Sequence, residues 1–554
     1  MKKIYILLIL LSSILNLHSQ TQGQWTWMNG SSGPNPNAVY GSKDTFASAN
    51  TPQGFYESCE WTDKNGNFWL FGGVYWNTIT QYEYADLWEF KPSINQWCWI
   101  KGPGANNAAG VYGTRGVAAP SNNPGARGFG ASTWVDTAGN LWLFGGWGHD
   151  KNGIAGTLDD LWKFNIADTE WTWMKGSDVF NSTYNYGTKG VEDSTNQLPA
   201  REETNATWTD NNNNLWIFGG LDGADYLVSD LWRYNISTNN WTWINGPILV
   251  NQPAVYGTLH VPDSSNTPGA RTVYSKWKDC NDDFWLFGGQ LTIHANLVYN
   301  DLWRYNIASN KWTWMGGTNL LNNPGTIGAL CTTNITNVPQ SRYENRACWT
   351  RGAGNFEFYG GSTDTNAYYS YSDIWDYSVS TGEWTLMTGS GYYNIGGYYG
   401  TETVSGPNNL PASRMGSIGW KDNNGYLWLF GGWDFQGNYH NDMWRYVPDT
   451  TCPHLTPCSI TTEISEVNPR SNISLYPNPN NGNFIVSNLR PDKSGGTYDL
   501  RIIDVTGRIV FFQQINNSTQ STIDVSYLSN GIYYWQMVSN NNISDKGKIA
   551  IIKD

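Results

Sequence analysis

This chain contains few charged residues and few good helix formers. Asp, Glu, Lys and Arg make up only 14% of its 554 residues. Acidic residues outnumber basic ones by 46 to 33, which gives a formal net charge of −13. This charge argues against a nucleic-acid partner, because phosphate binding needs a basic face. Gly, Trp and Tyr are abundant instead (60, 32 and 33 residues), and aromatic segments between Gly-rich turns predict an all-β protein.

Long apolar segments are absent beyond the first residues. Lys2 and Lys3 precede an apolar run over residues 4–15, and the segment 17–20 offers a cleavage zone. Residues 1–20 are therefore predicted to be a signal peptide. The run is too short for a comfortable membrane span, and no cysteine follows closely enough for a lipoprotein anchor. We expect an exported, soluble mature protein without a transmembrane span.

Cysteine is also scarce. The seven cysteines are an odd number, so at least one stays unpaired if all bridges are internal. Cys452 and Cys458 flank a short Pro-containing segment and are predicted to form a local disulfide. No cysteine has a convincing zinc-ligand spacing with histidine, and the sequence predicts neither a metal nor a cofactor.

A six-residue phrase that ends in Gly-Gly recurs six times. It reads Phe-Trp-Leu-Phe-Gly-Gly at 68–73, and its copies end at residues 146, 220, 289, 361 and 432, a period of about 72 residues. An Asp-apolar-Trp phrase follows each copy, as in Asp160-Leu161-Trp162, and then a Trp-x-Trp phrase follows in most units. Another strand precedes each Gly-Gly phrase across a turn such as 63–66. Each unit therefore predicts a sheet of four short antiparallel strands.

Six such sheets bury both their faces when they pack around an axis, which predicts a six-bladed β-propeller. The sixth unit lacks its fourth strand, and the missing phrase stands near the N-terminus as Trp25-Thr26-Trp27-Met28. The first mature strand is predicted to pair with the last blade and close the ring, which removes two exposed edges.

These phrases resemble the Kelch family, whose repeat has a Gly-Gly after its second strand, followed by an aromatic residue and a Trp. The resemblance covers residues 22–449 and implies a Kelch-type propeller, although Kelch repeats are typically about 50 residues long. The additional residues fall in the connections between the second and third strands (b–c loops) and between consecutive blades (d–a loops). Both kinds of loop are predicted to share one face, and elaborated loops on a rigid scaffold usually carry binding sites.

Two sets of residues on that face are candidate ligand contacts. An arginine opens five of the six blades and suggests a ring of guanidinium groups for carboxylates; the alternative is that each bonds carbonyls or the Asp of a neighbouring blade. Exposed aromatic rings of the b–c loops suit sugars, which offer C–H faces for stacking; the alternative is that these rings pack the loops down. The candidates are Arg127, Arg201, Arg271, Arg342, Arg414, Tyr75, Trp76, Trp147, Tyr226, Tyr369 and Trp433.

No catalytic motif is recognised. Four histidines fall on the long-loop face (His149, His260, His294 and His440), and scattered surface histidines are the simplest interpretation. The Kelch resemblance includes copper-dependent galactose oxidase and bacterial sialic acid epimerase, but the Cys–Tyr cross-link and copper ligands of the former find no match in this sequence.

The composition changes after the propeller. Residues 450–470 predict a linker, and 471–554 predict a small β-sandwich of six or seven strands. This segment resembles the C-terminal sorting domain of the type IX (Por) secretion system of Bacteroidota. The residues that carry the resemblance are Pro477, Asn478, Pro479, Gly482, Asp504, Gly507, Gly531 and Tyr533. The resemblance implies secretion by the type IX machinery, removal of the domain, and release or attachment to surface lipopolysaccharide.

Three functions stay open at this point. The first is a secreted or cell-surface module that binds glycan or another extracellular ligand through the long-loop face. The second is a Kelch-type enzyme acting on sugars, with a site at the mouth of the axial channel. The third is a platform for protein–protein adhesion. Clustered carboxylates at the mouth favour the enzyme, an aromatic shelf favours glycan, and a large apolar patch favours a protein partner.

Overall fold

All regular elements that the computed structural model describes are β-strands. The description covers residues 22–553 except 78, 181, 273–274, 293–295, 353, 364–368, 450, 453–473, 479, 488–497, 505–508, 516–519 and 540–541. The predicted signal peptide and most of the predicted linker lie outside the described residues. The chain divides into two compact units, Met1–Ser459 and Ile460–Asp554. The part of the chain that is described contains no helix of the length and apolarity that a membrane span requires.

The described part of the first unit contains six large antiparallel sheets, one for each copy of the repeat, and two small sheets in the loops. In every large sheet the strands are ordered as in the chain, except that the sixth receives its last strand from the N-terminus. Sheet 1 comprises Cys59–Thr62, Phe68–Phe71, Leu87–Lys91 and Gln96–Lys101; sheet 2, Ser132–Val135, Leu141–Phe144, Leu161–Asn165 and Glu170–Lys175; sheet 3, Thr207–Thr209, Asn214–Leu221, Leu227–Asn235 and Asn240–Asn245. Sheet 4 comprises Ser275–Lys278, Phe284–Phe287, Leu302–Asn306 and Lys311–Gly316; sheet 5, Cys348–Arg351, Asn355–Tyr359, Ile374–Ser378 and Glu383–Thr388; sheet 6, Ile418–Lys421, Leu427–Asp434, Tyr439–Val447 and Gln24–Asn29.

In each large sheet the Gly-Gly pair directly follows the last aromatic residue of the second strand's repeated phrase. Gly145, for example, has a φ of 64°, and a Cβ built on it would lie 2.5 Å from the carbonyl oxygen of Arg201 in the next repeat. Only glycine combines this backbone conformation with so close an approach. The repeated glycines thus bring the backbone of one sheet against the chain that enters the next.

The six sheets follow one another in a closed cycle. The first strand of each sheet contacts the first strand of the next, and that of sheet 6 contacts that of sheet 1. A separate apolar cluster fills each of the six spaces between neighbouring sheets, including the space between sheets 6 and 1. In that last space Phe68 stacks on Trp420 with ring centroids 5.1 Å apart and planes 1° apart.

The N-terminal strand completes sheet 6, as predicted. Gln24 to Asn29 runs antiparallel to the third strand, with Trp25 opposite Tyr446 and Trp27 opposite Trp444. Trp25 is fully buried and meets the rings of Tyr359 and Trp444 edge-on. The predicted closing strand is therefore confirmed.

The long loops carry short strands of their own. Val74–Asn77 pairs with Thr80–Glu83, and Trp147–His149 pairs with Ala155–Thr157. Arg127–Gly128, where a d–a loop enters sheet 2, pairs with Trp147 and Gly148 of a b–c loop, and Arg414–Met415 pairs similarly with Trp433 and Asp434. The two kinds of loop therefore meet at the same end of a sheet.

The disulfide prediction was wrong. Cys452 is bonded to Cys331, in the loop before sheet 5, and not to Cys458, which lies outside the described residues. Cys280 is disulfide-bonded as well, and Cys59, Cys98 and Cys348 are free thiols. Because Cys452 is buried, the first unit extends into the predicted linker. Closeness in sequence favoured the local pair, whereas the fold brings a residue 121 positions away to the same point.

The second unit consists of two antiparallel sheets with a common apolar core, the arrangement expected of a β-sandwich. One sheet contains Ser474–Tyr476, Asn483–Ser487 and Gln520–Asp524, and the other contains Ile509–Ile515, Tyr498–Ile503, Gly531–Ser539 and Asn542–Ile551. Phe484 and Val486 of the first sheet and Leu500, Ile502 and Ile549 of the second contribute to this core.

Candidate functional site

The five repeated arginines are part of the scaffold. Each is at most 1% exposed and forms an ion pair with the Asp of the Asp-apolar-Trp phrase in its own sheet. Arg127, for example, donates to both oxygens of Asp160 at 2.8 Å and to the carbonyl of Gly145. A guanidinium enclosed in this way has no donor to offer a ligand. The arginines therefore have the scaffold role that was the alternative prediction, but the partner aspartate lies in the same sheet and not in a neighbouring blade as that alternative held. The arginines concerned are Arg127, Arg201, Arg271, Arg342 and Arg414.

The candidate aromatic residues of the b–c loops differ in exposure. Trp76, Tyr226 and Tyr369 are about half exposed (53%, 48% and 47%), whereas Tyr75, Trp147 and Trp433 are partly buried. Tyr369 packs edge-on against Tyr393, so part of its surface serves to hold its own loop.

Two of these side chains belong to one continuous row of rings. Tyr82 stacks on Tyr75, Tyr75 meets Tyr439 edge-on, Tyr439 stacks on Trp433, and Trp433 meets Tyr56 edge-on, with centroid separations of 5.1 to 6.4 Å. We call these five residues the aromatic row. The exposed ring of Trp76 adjoins the row in sequence, beside Tyr75. The row joins loops of sheets 1 and 6 and leads towards the centre of the ring.

Three glutamates meet at that centre. Glu57, Glu203 and Glu344 each stand just before the first strand of their sheet, in sheets 1, 3 and 5, and each offers an oxygen within 4.8 Å of the other two. Side chains from alternate sheets of a ring come this close only near its axis. All three have left-handed backbone, with φ between 52° and 56°. We call these residues the axial glutamates.

The axial glutamates lie at the inner end of the aromatic row. The Tyr56 hydroxyl donates to Glu344 Oε1 at 2.7 Å, and Arg346 Nη1 lies 3.1 Å from Glu57 Oε2. Burial, and secondly the charge of Glu57, raise the pKa of both Glu203 and Glu344 well above the usual range. The neighbouring Glu202 has a pKa raised to about 8, first by burial and then by Asp225.

The axial glutamates were not among the site residues predicted from the sequence. Glu203 and Glu344 stand two residues after the repeated arginines of their sheets, and Glu57 stands two residues after Phe55, which takes the place of that arginine in sheet 1. A glutamate occupies this position only in every second repeat. A search for residues shared by all repeats passes over them. The signal that would have revealed them is a residue type with a period of two repeats.

The opposite end of the axis holds a separate cavity of about 360 Å³. It is lined by first-strand residues near the short turns, including Thr62, Thr133, Thr207 and Thr209. Glu60 and Lys276 are its charged groups, and the Lys276 ammonium donates to Thr207 Oγ1. Burial lowers the pKa of Lys276 and raises that of Glu60.

Two of the loop histidines are paired with carboxylates. His149 Nε2 lies 3.2 Å from Glu83, and His440 Nε2 lies 2.9 Å from Asp434. The Glu83 hydrogen bond raises the pKa of His149, against the opposing effect of burial. His294 lies outside the described residues. Within the described part of the chain, the axial glutamates are the one group of three or more His, Cys, Asp or Glu side chains placed to share an ion.

Most of the predicted sorting residues lie in the part of the chain that the structure describes. Asn478 accepts from the backbone of Ala550 and donates to the carbonyl of Lys548, which attaches the Pro477-Asn478 segment to the last strand. Gly482 has a φ of 100°, and Tyr533 donates to the carbonyl of Ser529. Asp504 follows a strand of the second sheet and Gly531 begins one, whereas Pro479 and Gly507 lie outside the described residues.

Comparison with known proteins gives a family for this second unit. Residues 474–553 match the model of the secretion system C-terminal sorting domain. The first unit resembles a solved structure titled "Structure of YjhT", with 12% identity and a TM-score of 0.42, over 71% of this chain and 95% of that one. A likeness this weak carries no argument about function.

The sorting domain settles where the protein goes. Domains of this family mark proteins that leave the cell by the type IX system and reach the cell surface or the exterior. The predicted secreted or surface location and the predicted interaction with the type IX machinery are therefore confirmed.

Proposed function

We propose that this protein is a Kelch-type six-bladed propeller that binds glycan at its long-loop end after export. The cyclic contacts of the six sheets and the closing N-terminal strand support the propeller. Binding at the long-loop end rests on one observation: the aromatic row runs from the partly buried rings of Tyr82 and Tyr75, next to the half-exposed Trp76, to a buried carboxylate cluster.

This combination suits a sugar. Aromatic faces stack against the C–H faces of a pyranose ring, and carboxylate oxygens accept hydrogen bonds from hydroxyls. The repeated arginines are all engaged within the scaffold, so the site offers acceptors rather than free cations. We infer that the glycan is neutral or basic rather than rich in carboxylates.

A glycan array with the uncleaved chain, from which only residues 1–20 are removed, tests this proposal. Selective binding is expected, and Trp433→Ala and Trp76→Ala should weaken it roughly 10- to 100-fold, because each removes apolar contact worth about 1.5–3 kcal/mol. Tyr527→Ala, which removes an aromatic ring 66% exposed in the sorting domain, is the matched control and should bind like the wild type. Unchanged affinity in both tryptophan variants would remove Trp76 and the aromatic row from the site. A lack of any glycan binding would redirect attention to a protein ligand.

The axial glutamates favour a second candidate, an enzyme that moves protons on a sugar. Carboxyl groups with a raised pKa retain a proton near neutral pH and can donate it. Their oxygens lie within 4.8 Å of one another, closer than the roughly 5–5.5 Å or 6.5–9.5 Å between the two carboxyls of typical glycosidases, so hydrolysis of a glycosidic bond is the less suitable reaction. The donor set is carboxylate rather than imidazole, which favours acid–base chemistry over copper oxidation.

NMR of reducing sugars incubated with the protein separates the two candidates. An enzyme of this kind accelerates anomeric or epimeric exchange, and Glu344→Gln should abolish the acceleration while leaving stacking on Trp433 in place. Glycan binding without any accelerated exchange would leave the binding protein as the proposal.

A further inference from the structure

The axial glutamates outnumber the cation beside them, so without a bound ion their charge is balanced only by protons on Glu203 and Glu344, whose pKa is raised. Three carboxyl groups face one guanidinium, that of Arg346, and Glu57, Glu344 and Arg346 are each at most 2% exposed. Buried carboxylates normally have a cation or several hydrogen-bond donors close by, because removing charge from water costs several kcal/mol for each ion.

Those donors are missing for most of the oxygens. Among the described residues, neither oxygen of Glu57 accepts a hydrogen bond, and Glu203 Oε2 and Glu344 Oε2 accept none either. The Glu57 side chain, 1% exposed, thus points into the cluster, where Arg346 is its ion-pair partner and Glu203 and Glu344 can donate a hydrogen bond to it only when they are protonated. Buried polar atoms without partners are rare and usually indicate an occupant such as an ion or water.

The number and type of ligands favour one ion. The three oxygens all lie within 4.8 Å of one another, so a single ion can reach all of them. Magnesium usually keeps several waters and takes only one or two carboxylates, whereas calcium accepts about six to eight oxygen ligands, including several carboxylates. Three converging carboxylates therefore favour calcium. The all-carboxylate donor set is hard, which disfavours zinc and copper.

We propose that Glu57, Glu203 and Glu344 bind a calcium ion on the axis of the ring. The ion replaces the protons that Glu203 and Glu344 otherwise retain and ties together three sheets that are not neighbours in the cycle. Further oxygens come from water or from a bound hydroxyl group. The proposal does not depend on the glycan proposal, because the metal alone is the ligand tested.

Isothermal titration of the mature, EDTA-treated protein with calcium chloride tests the site. One ion per chain is expected, together with a rise in the melting temperature when calcium is added. Glu203→Gln should weaken binding at least about tenfold, since it removes one of three charged ligands. Glu202→Gln, the adjacent buried carboxyl outside the cluster, is the matched control and should leave the calcium affinity within about twofold of the wild type.

Two outcomes would overturn the proposal. If protons alone fill the cluster, as the raised pKa of Glu203 and Glu344 permits, the wild type shows no binding at millimolar calcium. If Glu203→Gln and Glu344→Gln both bind calcium like the wild type, the ion sits elsewhere. Both variants relieve repulsion between carboxylates and should fold, which their melting curves verify.

Discussion

At the scale of single residues, the repeated Arg–Asp pair keeps an aspartate charged although it is buried, and it does so in five of the six sheets. In sheet 6 burial acts to raise the pKa of Asp442, but Arg414 outweighs it and lowers that pKa to about 2. Sheet 1 has Phe55 where the other sheets have arginine, and its Asp86 keeps a hydrogen bond from Tyr40. Burial raises the pKa of Asp86, and the protein hydrogen bonds offset this only in part.

Replacement of each aspartate by the neutral asparagine should therefore affect the free energy of unfolding differently. Asp442→Asn leaves Arg414 buried without its counter-ion and should cost about 3–5 kcal/mol, whereas Asp86→Asn should be neutral within about 1 kcal/mol or stabilising. Asp442 stabilises the folded state fully above about pH 4, the usual pKa of an unfolded aspartate, and this stabilisation is lost as the pH falls through about 2. Asp86 destabilises the folded state, and this destabilisation grows as the pH rises above about 4. Urea unfolding at pH 7 measures both changes. Equal destabilisation by the two substitutions would contradict this account.

The candidate site was only partly predictable from the sequence. Tyr75 and Trp433 were selected because they are not repeated, and they lie in the aromatic row. The arginines were selected although they repeat, and repetition proved to be the mark of a scaffold role, as with Arg127. The axial glutamates leave one sequence signal, a residue type with a period of two repeats, but their meeting at one point depends on the closure of the ring and not on any local pattern.

At the scale of elements, the N-terminal strand determines whether the ring is closed. Trp25 fills the space between sheets 5 and 6, against Tyr359 and Trp444, and is 1% exposed. A sheet that lacks its last strand exposes an unpaired edge and part of this cluster.

Trp25→Ala should lower the free energy of unfolding by about 3–5 kcal/mol, because it removes a buried aromatic ring and leaves a cavity. Trp76→Ala removes a ring that is 53% exposed and should change stability by no more than about 0.5 kcal/mol. Thermal and urea unfolding of the two variants give the comparison. A small effect at Trp25 would mean that the ring tolerates an open sixth sheet.

The strands were far easier to predict than the disulfides. Alternating aromatic residues, hairpin turns such as 63–66 and the Gly-Gly pair are local signals, and each marks its strand independently. The Cys331–Cys452 bond depends on where the loop before sheet 5 lies relative to the end of sheet 6. That relation follows from the packing of whole sheets, which no local pattern encodes.

At the scale of the whole molecule, the two units carry separate tasks. The first contains the candidate site, and the second matches a sorting domain over residues 474–553. The destination of the protein should therefore reside in the second unit alone.

Deletion of residues 471–554 should leave the protein in the periplasm, because the type IX machinery no longer recognises it. Cell fractionation with antibody against the first unit locates the truncated chain. A reporter protein fused to residues 471–554 serves as the reciprocal control and should reach the surface or the medium. Normal surface display of the truncated chain would contradict a sorting role.

The Cys331–Cys452 bond has a mechanical consequence. A protein held at a cell surface by its C-terminal side in flowing liquid experiences a pulling force on the chain after residue 452. Without the bond, that force acts directly on Tyr439–Val447 and tends to peel sheet 6 open at its end. With it, the covalent link passes the load to Cys331 and so to sheet 5, and the closing strand is shielded from tension.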